Sequence, residues 1–164
     1  MKRWYAAQTQ PRKERLAIDH LGRQAYATYC PFVRRSKPRS GRTITTLEPL
    51  FPGYVFVGFD CDHERWHPVN STIGVSRLVS FASRPSPLPR GFVERLRDLA
   101  DTDGQVCFDE HLNAGDAVRI VGGPFDTLCG TLATGDARQR VTVLLQLLAG
   151  ETRVTLPRDC LVAA

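Results

Sequence analysis

The stretch LFPGYVFVGF at residues 50–59 constrains this chain more than any other. A Pro-Gly turn opens into a strand-forming run that carries no polar side chain. Successive side chains of a strand point to opposite faces. Tyr54, Phe56 and Gly58 therefore share one face, and Val55, Val57 and Phe59 share the other. A small sheet needs only one face covered by its own core. A strand apolar on both faces needs a layer on each side or an external partner, and periodicity alone favours two internal layers.

The flanking segments supply the layers. RWYAAQT reads as a first strand. PRKERLAIDHLGRQA follows as a basic helix with Pro11 in its first turn and Leu16, Ala17, His20, Leu21, Gln24 and Ala25 at helical spacing. TYCPFVRR and TITTLEPL read as strands joined by the polar hairpin tip SKPRSGR. DCDHERWHPVNST is a short helix or ordered loop capped by Asp60 or Asp62, and GVSRLVSF is another strand. After the Pro-rich loop ASRPSPLP, RGFVERLRDLA sets Phe92, Val93, Leu96 and Leu99 on one helical face. The fold class is α+β.

Charge divides the chain. Residues 1–100 carry 17 Lys and Arg against 8 Asp and Glu, whereas residues 101–164 carry 5 against 9. A basic half joined to an acidic half suggests two units, the first facing something anionic. Residues 101–113 read as a flexible linker. Beyond them, GDAVRIVGGPFDTLCGTL, RVTVLLQLL and TRVTL read as short strands split by Gly turns, the pattern of a small β-barrel over 114–164.

Enzyme chemistry finds little support. The chain lacks GxxxxGK[ST], GxGxxG after a strand, HExxH and GxSxG, so no catalytic residue is assigned. Cys61, His63 and His67 form the best metal candidate, but no fourth ligand lies near in sequence and Pro68 interrupts the turn. No metal or cofactor is expected. The five cysteines are scattered and odd in number, which fits free thiols in a reducing cytosol. No apolar run approaches the ~18–20 residues of a membrane span.

Two groups of motifs resemble the NusG family. GDAVRIVGGPFDTLCGTL resembles its KOW motif, and LAGETRVTL at 148–156 resembles the segment that follows it. RWYAAQTQPRKERLAIDHL resembles the opening of the family's N-terminal (NGN) domain, EPLFPGYVFVGFD its central strand, and NSTIGVSRLVSF the next strand. Within the family, the RfaH-type paralogues look most similar. The resemblance implies an NGN α/β sandwich with an antiparallel sheet at 1–100 and an SH3-like KOW barrel at 114–164.

It also implies a function: an elongation and antitermination factor that closes the RNA polymerase clamp and suppresses pausing. Phe51, Tyr54 and Phe56 match an exposed patch that docks on the largest catalytic subunit, with Val55, Val57 and Phe59 left as core. Arg65, Trp66 and His67 fall where the family meets the gate loop of the second-largest subunit. Arg12, Lys13, Arg15, His20, Arg23, Asn70 and Thr72 match positions along the path of non-template or upstream DNA. Gln10, Leu16 and Ile73 depart from the sequence-reading paralogues, so weak sequence preference is expected. Phe125, Leu148 and Gly150 would contact the KOW partner, ribosomal protein S10 or Rho. The implied protein is a cytoplasmic monomer.

Glu48 and Arg140 fall where RfaH-type proteins pair an acid and a base between domains while the second domain rests as a helical hairpin. Here the glycines and β-branched residues of 114–164 favour a barrel and a partly open patch in the free protein. The rival reading is a structural protein of the ribosome or another RNA, since KOW modules occur there too. A KOW unit bound to RNA should be basic, and this one is acidic.

Overall fold

A computed structural model describes residues 1–107, 132 and 136–149 of the chain. In order the elements are β1 (Arg3–Thr9), α1 (Glu14–Arg23), β2 (Ala27–Tyr29), β3 (Phe32–Arg39) and β4 (Arg42–Pro49). After them come β5 (Tyr54–Phe59), a 3-10 turn (His67–Ser71), β6 (Val75–Leu78), β7 (Ser80–Phe81), β8 (Arg84–Pro85), α2 (Phe92–Asp98) and α3 (Ala137–Leu148). Four strands form one antiparallel sheet in the order β2–β5–β1–β6. β3 and β4 make a separate ribbon.

β5 lies between β2 and β1, with Tyr29, Phe56 and Ala6 aligned across the three strands and Thr28, Val57 and Tyr5 in the next row. Its two apolar faces are both covered. Val55, Val57 and Phe59 pack with Tyr5 and Ala7 against Ala17 and Leu21 of α1. Phe56 and Ala6 pack with Phe92, Val93 and Leu96 of α2 on the opposite side. The two-layer expectation from periodicity is what the fold adopts.

α1 differs from its expected register. It begins at Glu14, because Arg12 sits at φ +59° and leaves Pro11 outside the helix. Its buried stripe is Glu14, Ala17 and Leu21, and Leu16 is 36% exposed. Glu14 is buried because its Oε1 accepts the Gly53 N–H at 2.8 Å. Gly53 has φ +82°, the left-handed conformation that glycine adopts without cost. One carboxylate thus fixes the turn that feeds β5. Glu14→Ala should lower stability by about 1–3 kcal/mol, because it strands a part-buried donor. Glu14→Gln keeps the acceptor and should recover most of the loss, and thermal melts of both variants check this.

The expected strand GVSRLVSF is divided into β6 and β7, and β7 pairs with β8 inside the Pro-rich loop. Asp101 to Cys107, the start of the expected linker, is held against the domain. Val106 donates its N–H to the Phe32 carbonyl at 2.7 Å, and its side chain is buried.

The largest correction concerns α3. RVTVLLQLL, expected as a barrel strand, is helical through Leu148 and packs on the N-terminal domain. Asp136 and Gln139 form a capping box: the Asp136 carboxylate accepts the Gln139 N–H at 2.9 Å, and the Gln139 side chain accepts the Asp136 N–H at 2.8 Å. Arg140, Leu144 and Leu148 then recur every four residues and form the buried stripe. Of the other segments assigned to the barrel, Leu132 is described and buried, and the rest lies outside the described residues.

Candidate functional site

The aromatic patch is present, and it is covered. Phe51 and Phe56 are each 1% exposed and Tyr54 is half-buried, so the expectation of a partly open patch does not hold in this conformation. Phe51, Phe56 and Phe92 form a triangle of rings with centroids 5.7, 6.3 and 5.9 Å apart. Leu132, Leu144 and Leu148 belong to the same buried cluster, with Val143 and Leu147 against its margin.

A polar contact fastens this cover. Arg140 is 1% exposed, donates from Nε to the Leu50 carbonyl at 2.6 Å, and meets Glu48 Oε1 through Nη2 at 3.3 Å. Glu48 also takes Lys37 at 3.1 Å and Arg35 at 3.9 Å. Burial first, and then the neighbouring Arg35 charge, push the Arg140 guanidinium below its ordinary pKa, while Glu48 pulls it back up. The family likeness anticipates Glu48 and Arg140 as a pair between domains, and the fold buries the arginine. Removing one partner of a buried pair costs more than an exposed pair contributes. The far end of α3 is tied by the Ser86 hydroxyl, which donates to the Leu148 carbonyl.

α1 and the turn before it present their basic residues to solvent. Arg12, Lys13, Arg15 and Arg23 are exposed and His20 is half-buried. Arg15 lies over the Phe32 ring at 5.2 Å, and Arg23 pairs with Asp19 at 2.7 Å. Asn70 and Thr72 have structural duties. Asn70 Oδ1 accepts the Leu78 N–H at 2.7 Å. Thr72 is buried, donates to the Pro68 carbonyl at 3.0 Å and accepts from Gln24 at 2.9 Å. Arg65 and His67 are exposed, and the Trp66 and His67 rings stack at 3.8 Å.

Leu148, expected at a partner surface of the barrel, is buried in the α3 stripe. Phe125 and Gly150 lie outside the described residues. His63 is engaged by Asp60 at 3.0 Å, and among the described residues no group of three or more His, Cys, Asp and Glu side chains is placed to hold a metal. Cys30, Cys61 and Cys107 are free thiols, and burial pushes the Cys30 thiol up to about 12. Among the described residues no helix is long and apolar enough to cross a membrane.

Sequence reasoning missed α3 as part of this site. Two signals for it were present: the D-x-x-Q capping box at 136–139, and the four-residue spacing of Arg140, Leu144 and Leu148.

The chain is similar in sequence to known proteins. A family model described as transcription termination factor nusG matches residues 2–97. The transcription termination/antitermination protein NusG of Deinococcus radiodurans is 35% identical over 131 residues, covering 71% of this chain and 69% of that protein. Its Staphylococcus aureus counterpart is 30% identical over an alignment of 173 residues, covering 96% and 93%. A solved structure on domain interaction in Thermotoga maritima NusG aligns at 23% identity and a TM-score of 0.44, over 76% of this chain and 75% of that one.

Proposed function

The chain belongs to the NusG family of transcription termination/antitermination factors, which are not enzymes, and from that premise we propose an elongation and antitermination factor that rests with its polymerase-binding patch covered. The observation that carries this reading is the α3 stripe seated over Phe51 and Phe56 and fastened by Arg140 to Glu48 and Leu50. A patch of this kind fits the largest catalytic subunit of RNA polymerase once α3 moves away. A covering helix of this kind is a feature of the RfaH-type branch.

The mechanism is linkage. A ligand that binds only the uncovered form shifts the equilibrium by its differential affinity for the two forms. A covered patch therefore lowers apparent affinity by the fraction of molecules that are open. Once bound, the factor holds the clamp closed if it prefers the closed cleft, and pausing is suppressed. In this reading the exposed cations Arg12, Lys13, Arg15 and Arg23 would meet non-template or upstream DNA, and Arg65, Trp66 and His67 the second-largest subunit. Released residues 114–164 would form the KOW barrel and recruit ribosomal protein S10 or Rho through Phe125 and Gly150.

Co-purification of the intact chain with RNA polymerase, followed by single-round transcription, tests the proposal. Weak capture by free core polymerase, strong capture by a paused elongation complex and a shorter pause are expected. Equal lack of binding to both forms would overturn it. A ribosomal or RNA-structural protein would instead bind structured RNA without polymerase.

A further inference from the structure

Glu48, at the root of the β3–β4 ribbon, is one carboxylate shared by three cations, and only one of them comes from α3. Its Oε1 meets Arg140 Nη2 at 3.3 Å and Arg35 Nε at 3.9 Å, and its Oε2 meets Lys37 Nζ at 3.1 Å. We propose that Arg35 and Lys37 are antagonists of the α3 cover, competing with Arg140 for Glu48 and raising the fraction of molecules in which the patch stands open. The inference rests on the reading above, in which α3 covers the polymerase-binding patch, and gives that cover a built-in counterweight.

The register of the ribbon keeps the competitors in place whether or not α3 is seated. Val33 is opposite Glu48, and paired residues of an antiparallel ladder share a face. Residues two apart on a strand also share a face, so Arg35 and Lys37 lie on the Glu48 side of the ribbon. Their contacts with Glu48 belong to β3 and β4 alone. Arg140 arrives from 92 residues away and depends on the packing of α3 to reach the same carboxylate.

The balance of charge decides which way the two cations act. In the covered form Arg140 has exchanged its water for the Leu50 carbonyl and a share of Glu48. Lys37 already neutralises part of that carboxylate, and Arg35 and Lys37 repel Arg140 as like charges. After burial itself, the Arg35 charge is the largest influence lowering the Arg140 pKa. Asp136 also attracts Arg140, more weakly than Glu48 does. When α3 leaves, Arg140 regains water and Glu48 keeps two ribbon partners. Opening a buried pair ordinarily strands a charge, which is what makes such a pair hard to break. Here the ribbon removes that penalty on the Glu48 side.

The opposite role would be to hold Glu48 aimed at Arg140, and the geometry disfavours it. The Lys37 side chain is 65% exposed, and an exposed pair on a long side chain holds its partner weakly. Arg35 Nε at 3.9 Å is beyond hydrogen-bond distance of Glu48, so its effect there is charge without direction. On Arg140 that charge acts with the repulsive sign.

Amide hydrogen exchange of the full-length chain without polymerase tests the competition directly. In Arg35→Gln/Lys37→Gln the amides of α3 should exchange about threefold more slowly than in wild type, as the covered fraction grows. Lys37→Gln alone should show part of the slowing, and its exposed position guards against misfolding at the half-buried Arg35. Arg39→Gln/Arg42→Gln removes the same charge from the ribbon tip and should leave α3 exchange unchanged. Capture of the Arg35→Gln/Lys37→Gln variant by free core polymerase should fall by the same factor as its α3 exchange. Slower exchange with undiminished capture would uphold the competition while removing the covered patch from polymerase binding. Unchanged or faster α3 exchange in both Lys37 variants would overturn the proposal. So would equal slowing in the tip variant, which would reduce the effect to net charge.

Discussion

Leu144→Lys should detach α3 from the aromatic patch while leaving the N-terminal sheet folded. Leu144 is wholly buried at the middle of the α3 stripe, among Phe51, Phe56 and Phe92. Replacing it removes about 1.5–3 kcal/mol of side-chain burial. It also places an unpaired ammonium in an apolar site, which costs several kcal/mol more unless the helix leaves. Lysine is preferable to aspartate here, because a carboxylate at 144 would lie one turn from Arg140 and find a partner. Far-UV circular dichroism should lose helical signal, and the new lysine should titrate normally. In the proposed mechanism, capture by free core polymerase should rise by at least about tenfold, the equivalent of ~1.4 kcal/mol, as the covered fraction falls. A variant with unchanged helix content and melting would mean that α3 does not depend on this stripe.

The same accounting explains why the sequence misleads at residues 137–148. Val141, Thr142 and Val143 are β-branched and cost a helix only a few tenths of a kcal/mol each. Burial of Leu144 and Leu148 against an existing aromatic surface contributes several kcal/mol. Tertiary contact outweighs local propensity, and the contact is invisible without knowing that Phe51 and Phe56 lie beneath the helix. The Asp136–Gln139 capping box was legible, but it competes with a strand-like composition. At α1 the obstacle was different. Glu14 looks like a solvent residue, yet its carboxylate is folded inward onto Gly53, which turns the buried face away from Leu16.

β5 was the most legible element because an apolar run with no polar alternation has few solutions. Periodicity alone points to a cover on each face, whereas the family likeness points to an exposed face at Tyr54 and Phe56. The fold covers both faces, and Val55, Val57 and Phe59 occupy the core as expected. The Glu48–Arg140 pair was anticipated through family likeness as a contact between domains, and only the fold reveals a guanidinium with 1% exposure and a carbonyl partner at Leu50. The DNA-side positions were only partly legible. Arg12 and Lys13 are exposed, Arg15 lies over Phe32 and Arg23 is paired with Asp19, whereas Asn70 and Thr72 are engaged in hydrogen bonds to Leu78, Pro68 and Gln24.

Phe56→Ala should be among the most damaging single substitutions in the N-terminal domain. The ring belongs to the central strand, contacts Phe51, Phe92 and Tyr29, and has 1% of its surface exposed. Truncating a buried phenylalanine costs about 3–5 kcal/mol through lost transfer energy and a residual cavity. For a chain of this size that lowers Tm by roughly 6–20 °C, and it consumes much of a typical stability of about 5–15 kcal/mol. This differs from the outcome of an exposed docking patch, where the fold would survive unaffected. The two roles separate in a double-mutant cycle with Leu144→Lys. With α3 displaced, the part of the Phe56 cost due to helix contact disappears, while the part due to Phe92 and Phe51 remains. A coupling of about 0.5–3 kcal/mol is expected between the two sites. Zero coupling would place Phe56 wholly within the domain's own core and leave Phe51 and Tyr54 to meet the helix. A Phe56→Ala protein that melts like wild type would place the ring in solvent, against the buried position described above.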